Sequence, residues 1–472
     1  MTRHLPLLLL AAFNAVVLLY FVLVNAFYLG TSLIAFRVLR RYAHRLKSLD
    51  VEELIATAGA PPITLIATAF NESATCVESV RSLLALSYSD FEILVVNDGS
   101  TDDTLAKLVA AFELAPAPRA PTATLPTRPV RGAYRSRRHP NLWVLDKENG
   151  RKADALNAGL NHCRTPLFCA IDSDSLLERE ALTRVVRPFL EDSSVVAVGG
   201  IIRVANGCTV QAGMVTDVRL PRSWLARFQV VEYLRAFLAG RMGWSAIHGM
   251  LIISGAFGLF RRSTVVEAGG YAHDTVGEDM ELVVRLHRYC RDHRIPCKIE
   301  FIPDPVAWTQ VPESLRDLGR QRDRWQRGLA EVLFRHRRLL LNPRFGVLGL
   351  LAFPYFFFLE MLGAAVEVAG YVAFAAAVAL HQANEPYVLA FLMLAFVLGI
   401  ALSIAAVGLE ELGFRRYRRV RDLLAMFGLA VIEGIGYRQL NTFWRARGLV
   451  SVLRGKKGWG QMTRQSFAAA AP

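Results

Sequence analysis

The sequence predicts an α/β domain, a mostly parallel sheet with helices on both faces, joined to α-helical transmembrane segments at both ends of the chain. Three observations predict it. Long apolar runs gather at the two ends, the middle alternates strand-sized apolar stretches with amphipathic ones, and acidic or polar residues recur where successive strands should end. Composition agrees: the 472 residues carry a formal net charge of +14, with 53% hydrophobic and 20% charged residues, and mean hydropathy is +0.30. This excludes a disordered chain. It also makes a lipid bilayer, not nucleic acid, the expected partner, because basic loops facing the cytoplasm raise the net charge as well. The six cysteines form no C-x-x-C pair, so neither a disulfide framework nor a zinc site is expected.

The first apolar run covers residues 5–36. At ~1.5 Å per residue it exceeds the ~30 Å hydrocarbon core but is too short for two crossings. Arg37, Arg40, Arg41, Arg45 and Lys47 follow it and only Arg3 precedes it. A membrane helix within residues 1–47 is therefore expected, with the N-terminus outside and the next region, 48–331, in the cytoplasm. Beyond that, residues 332–472 should hold interfacial helices and two crossings, 356–380 and 387–409, with Pro354 interrupting the first run and an external turn at 381–386. Arg415, Arg416, Arg418, Arg419 and Arg421 bring the chain back inside. The piece 423–437 is short and contains Glu433, which fits a re-entrant or interfacial helix ahead of a basic cytoplasmic tail. Glu360 and Glu367 share a helix face that should meet protein or water, not acyl chains. The expected location is the cytoplasmic (inner) membrane, with several passes.

Within 48–331 the alternation begins with a strand at Ile63–Ala69, a helix at 73–86 and a strand at 91–96. The Pro/Arg-rich stretch 115–140 has no periodicity and is expected to be an exposed loop. A strand at 142–145, a helix at 151–162 and a strand at 167–171 continue the pattern. In open α/β sheets ligands bind outside the carboxyl ends of strands. Asn71 and Glu72 follow the first strand, Asp98 the second, and Asp172 and Asp174 the fourth. Each alone is a weak signal, because Asp and Asn after a strand usually just initiate a turn or cap a helix; their recurrence points to a site.

Asp172-Ser173-Asp174 puts two carboxylates on one side of an extended backbone, where they could share Mg²⁺ or Mn²⁺ with a diphosphate. Glu278 and Asp279 open a helical run, either as an ordinary acidic first turn or with Asp279 as a general base. The segment Gln321-Arg322-Asp323-Arg324-Trp325 is cationic and amphipathic. It reads as an interfacial helix, or as Arg324 against phosphate and Trp325 against a sugar face.

Asn97-Asp98-Gly99-Ser100, Gly150-Arg151-Lys152-Ala153-Asp154-Ala155-Leu156-Asn157, Asp172-Ser173-Asp174, Gly277-Glu278-Asp279 and Gln321-x-x-Arg324-Trp325 stand in the order seen in membrane-integrated family-2 glycosyltransferases. From Ile63 onward the chain resembles the cellulose, hyaluronan, chitin and poly-N-acetylglucosamine synthases. The resemblance implies a GT-A fold in which Ala69, Asn71, Glu72, Asp98, Lys152 and Asp172 bind the nucleotide and Asp174 ligates Mg²⁺ or Mn²⁺. It further implies that Asp279 is the base beside Glu278, that Ser254, Gly255, Ala256 and Phe257 touch the acceptor, and that Gln321, Arg324 and Trp325 close over diphosphate and acceptor. Two departures are visible: one amino-terminal span where several relatives have more, and no appended cyclic-dinucleotide-binding domain. The implied activity is inverting transfer from a UDP-sugar, GlcNAc or glucose, to a growing β-linked polysaccharide, with export as an accompanying step. The alternative is a single addition to a lipid carrier. A nucleotide-binding transporter or sensor is disfavoured, since no P-loop is present. An accessory export subunit or a homo-oligomer is a further implied partner.

Overall fold

The computed structural model describes residues 5–46, 59–172, 175–211, 213–414, 416–417 and 419–456. They fall into two compact units. One contains Arg41–Pro221 and Met250–Val311; the other takes the amino-terminal helix to Arg40, then Arg222–Gly249 and the described residues from Pro312 to Lys456.

The unit around Arg41–Pro221 is built on a ten-stranded sheet. Its strands are β1 Ile63–Ala69, β2 Phe91–Asp98, β3 Leu114–Pro116, β4 Val130–Ser136, β5 Leu142–Lys147, β6 Leu167–Asp172, β7 Ser175–Leu177, β8 Val195–Val204, and, after the small hairpin β9 Thr209–Gln211 and β10 Met214–Asp217, β11 Phe257–Arg261 and β12 Lys298–Thr309. The order is β3-β4-β5-β2-β1-β6-β11-β8-β12-β7. The centre is parallel, β5-β2-β1-β6, and its near-continuous apolar strands are buried as parallel strands covered on both faces must be. Antiparallel pairing of β11 with β6 and β8, and of β4 with β5, makes the sheet mixed toward its edges. The register sets Ala69 beside Asn97 and Thr68 beside Asp172, so the carboxyl ends of β1, β2 and β6 form one rim.

The stretch 115–140 corrects the expectation of an exposed loop. It contains the end of β3 and the whole of β4, which completes its hydrogen bonds on β5. An edge strand borrows its ladder from a neighbour and needs little apolar periodicity of its own. Arg119, 6% exposed, fastens the intervening segment: it donates to the His162 carbonyl and to Glu92 at 2.7 Å, and lies 4.7 Å above the Trp143 ring.

The other unit is helical. Leu8–Tyr42 and Glu385–Gly413, 35 and 29 residues long, have the length and composition to cross a bilayer, and Leu348–Met361 with Gly363–Ala379 makes a third candidate bent by 41°. The bend falls at Leu362. Pro354, where an interruption was expected, is absorbed between the π-helical turns Leu348–Ala352 and Tyr355–Met361. Glu360 accepts hydrogen bonds from the Tyr28 and Tyr355 hydroxyls at 2.8 Å and pairs with Arg445 at 2.9 Å. Glu367 accepts from Tyr20 at 2.6 Å and Thr442 at 2.9 Å. Both carboxylates therefore face protein. Val420–Ile432, 13 residues long, reaches about 20 Å at ~1.5 Å per residue, short of a bilayer core. The fully buried Glu433 beyond it takes Arg235, Arg438 and the Ser403 hydroxyl as partners.

Candidate active site

The loop after β1 is shaped by its own polar groups. Asn71 takes a left-handed backbone, φ 55°, and its side-chain oxygen accepts from the Thr101 amide at 2.8 Å. The Glu72 carboxylate, 2% exposed, accepts from Thr75. Ala69 is buried at the strand end. At the end of β2, Asp98 is 3% exposed, and its carboxylate accepts from Lys147 Nζ at 2.7 Å and from the Gly150 and Arg151 amides at 3.0 and 2.8 Å. Asp98 thus fixes the turn that leads into the helix Lys152–His162.

Lys152 opens that helix and reaches a small cleft lined by Ser254, Gly255, Tyr271, Glu278 and Asp279. Its ammonium lies 2.5 Å from Asp172 and 3.5 Å from Glu278, and donates to the Gly255 carbonyl at 3.2 Å. A Cβ on Gly255 would stand 2.8 Å from that nitrogen, so a side chain there would push the end of the lysine aside. The helix Glu278–Asp292 presents its acids from the first turn. Asp279 is held at both oxygens, by the Gly255 amide at 3.0 Å and the Met280 amide at 2.8 Å. Burial opposes the charge on Lys152, but Asp172 and Glu278 outweigh it and hold its pKa above the usual lysine value. Burial pushes the Glu278 carboxyl up to about 7, against Lys152 and with Asp279 adding to the rise.

The structure therefore brings together Lys152, Asp172, Ser254, Gly255, Glu278 and Asp279. Ala256 and Phe257 are 8% and 0% exposed, and Phe257 opens β11 opposite Ile171 of β6. Asp174 lies outside the described residues. Gln321, Arg324 and Trp325 belong to the helix Leu315–Arg335 of the other unit, where Gln321 is buried and Trp325 stands 44% exposed with Arg322 4.4 Å over its ring. Sequence reasoning passed over Lys147 and Tyr271, and it quoted Asp154 and Asn157 without a role. A lysine at the last position of an apolar strand was the one available signal for Lys147.

The chain matches the family described as Glycosyl transferase family group 2 over residues 167–404, and Glycosyl transferase family 2 over 64–120. It belongs to the family-2 glycosyltransferases. Among curated relatives of this transferase is the poly-beta-1,6-N-acetyl-D-glucosamine synthase of Staphylococcus aureus (strain COL), 28% identical over 300 residues, covering 63% of this chain and 60% of that one. The synthase of the same name from Staphylococcus epidermidis is 26% identical over 273 residues, 58% and 56% of the two chains. The transferase thus spans about three fifths of the length of the curated relatives it matches. Among solved structures, the mannosyltransferase PcManGT from Pyrobaculum calidifontis, in complex with GDP-Man and Mn²⁺, aligns with a TM-score of 0.50 at 19% identity, covering 88% of this chain and 99% of that one. That likeness shows the GT-A fold.

Proposed function

We propose that this transferase moves a sugar from a UDP-sugar, N-acetylglucosamine or glucose, onto a growing β-linked polysaccharide at the cytoplasmic face of the inner membrane. The observation that carries the reading is the fixed Asp279 carboxylate beside Lys152, Asp172 and Glu278 at the strand-end rim. The relatives' printed activity, poly-N-acetylglucosamine synthesis, supports the product class.

The residues fit a divalent cation of the Mg²⁺ or Mn²⁺ kind. Asp172 and Asp279, with Glu278 raised to about 7, surround the one Lys152 ammonium, so a diphosphate would meet repulsion unless a cation came with it. Among the described residues no group of three or more His, Cys, Asp or Glu is placed to hold a metal. A cation shared with substrate phosphate needs only one or two carboxylates, which Asp172 and Asp174 would supply. When bound, it neutralises charge growing on the departing diphosphate.

The chain's own residues carry the rest. Asp279 takes the proton from the acceptor hydroxyl as that oxygen attacks the anomeric carbon, the bond to the UDP oxygen breaks, and inversion turns an α-linked donor into a β-glycoside. Lys152 stabilises the nucleotide's phosphates, and Asp98 keeps the turn beneath it in shape. The test is to incubate purified protein in detergent with a panel of nucleotide sugars, measuring released UDP and sizing the product. A ladder or long polymer from UDP-GlcNAc or UDP-glucose is expected. A single extractable glycolipid would replace the synthase reading with transfer to a lipid carrier, and absence of UDP release from any donor would overturn both.

A further inference from the structure

Beneath the cleft lies a buried charge cluster centred on Lys147, a residue that the chemistry above does not use. Lys147, at the end of β5, is 0% exposed, and Asp98 and Asp154 are each 3% exposed. A buried ammonium must find acceptors for all three of its N–H bonds. Lys147 finds them in Asp98 Oδ1 at 2.7 Å, Asp154 Oδ1 at 2.5 Å and the Glu148 carbonyl at 2.5 Å. The two carboxylates come from opposite sides of the 149–151 turn. Asp98 grips the turn through the Gly150 and Arg151 amides, and its own carbonyl accepts from Asn149 Nδ2 at 2.8 Å. Asp154 presses so close that a Cβ on Gly150 would lie 2.3 Å from its Cγ.

The turn needs this grip. Arg151 sits at φ 74°, a region that a residue with a side chain occupies only when its surroundings enforce it. The next residue is Lys152, whose ammonium reaches the cleft. On its far side Asp154 accepts from the Arg128 amide at 3.0 Å and faces His273 Nδ1 at 3.6 Å. Asn157, three residues on, bonds the Tyr271 amide and carbonyl at 2.7 and 2.9 Å, and His273 Nε2 at 2.9 Å. The cluster therefore joins the strand end carrying Asp98 to the segment that leads into Glu278 and Asp279.

We infer that Lys147 is a positioning residue for nucleotide binding: clamped between Asp98 and Asp154, it holds the 149–151 turn closed and so sets where Lys152 enters the cleft. The binding readout rests on the nucleotide-sugar reading above; the turn itself does not. The experiment compares wild type, Lys147→Met and Lys147→Met/Asp154→Asn, in detergent, by amide hydrogen exchange, thermal melting and titration with UDP in Mg²⁺. In Lys147→Met, exchange at Gly150 and Arg151 should quicken at least tenfold while β2 and β5 stay protected, and UDP affinity should fall at least tenfold. The double variant removes one of the two stranded carboxylates, so melting should recover while UDP affinity does not. Affinity returning together with stability would reduce Lys147 to a structural ion pair, and unchanged exchange at Gly150 and Arg151 would overturn the inference. If Lys147→Met does not fold, the double variant carries both readouts. If wild type binds none of UDP, GDP or CDP, the nucleotide-sugar reading falls, and the exchange data alone still decide whether Lys147 closes the turn.

Discussion

Two backbone amides donate to the two oxygens of Asp279, so Asp279→Asn removes its basicity while setting the new NH2 against one of those amides. Asp279→Asn should bind donor almost normally and lose roughly 10²- to 10⁴-fold in transfer rate, the span a positioned general base supplies; a variant within tenfold of wild type in a UDP-release assay would exclude Asp279 as base. Glu278 behaves differently. Its carboxyl is raised in the folded protein to about 7, so the folded state holds a proton that the unfolded chain releases near the ordinary Glu value. This group's contribution therefore turns unfavourable as pH climbs from the unfolded value to about 7, and the penalty is complete above it. Glu278→Gln should gain in melting temperature relative to wild type between pH 5 and pH 8; a difference that is flat in pH would show that the carboxyl is not raised. Chelation should abolish UDP release and added Mg²⁺ or Mn²⁺ should restore it. Release undiminished by chelator would remove the cation from the mechanism.

Among the elements, Arg119 shows how a segment without strand or helix is kept on the sheet. Its side chain is 1% exposed against Glu92 and also holds the His162 carbonyl and the Trp143 face. Arg119→Ala should cost about 1–3 kcal/mol by urea unfolding, the range for stranding a buried hydrogen-bonded group; no change in midpoint would mean the segment is not packed as described. The same region explains what was legible in advance. β1, β2 and β6 announce themselves as runs such as Ile63–Ala69 because both of their faces are covered. β4, with Arg131, Gly132 and Arg135 in seven residues, shows no such run, since its partner supplies the order. At the site, Asp172, Glu278 and Asp279 were readable because each sits at a strand end or a helix start. Lys147 was not, because its meaning lies in Asp98 and Asp154, which only the folded sheet brings to it.

For the whole molecule, the proposed topology has residues 381–386 outside and the chain after Leu453 inside. A cysteine at Gln382 should react with an impermeant maleimide in intact cells, and one at Gly455 only after permeabilisation; labelling at Gly455 in intact cells would mean that Val420–Ile432 crosses after all. Removing Glu433 should be severe for the helical unit. Glu433→Ala leaves Arg235 and Arg438 without their shared counter-charge and should cost roughly 3 kcal/mol or more; unchanged thermal resistance in detergent would contradict the pairing. The partners of Glu360 and Glu367 also bear on how the protein is made. Arg445 lies 85 residues after Glu360, and Thr442 lies 75 residues after Glu367. A ribosome delivers both acids to the membrane well before the groups that complete their bonding exist, and until then Tyr20, Tyr28 and Tyr355 are the protein donors already made. Chains that stall or are cut before Thr442 should therefore linger at the insertion machinery and be degraded, however apolar their spans.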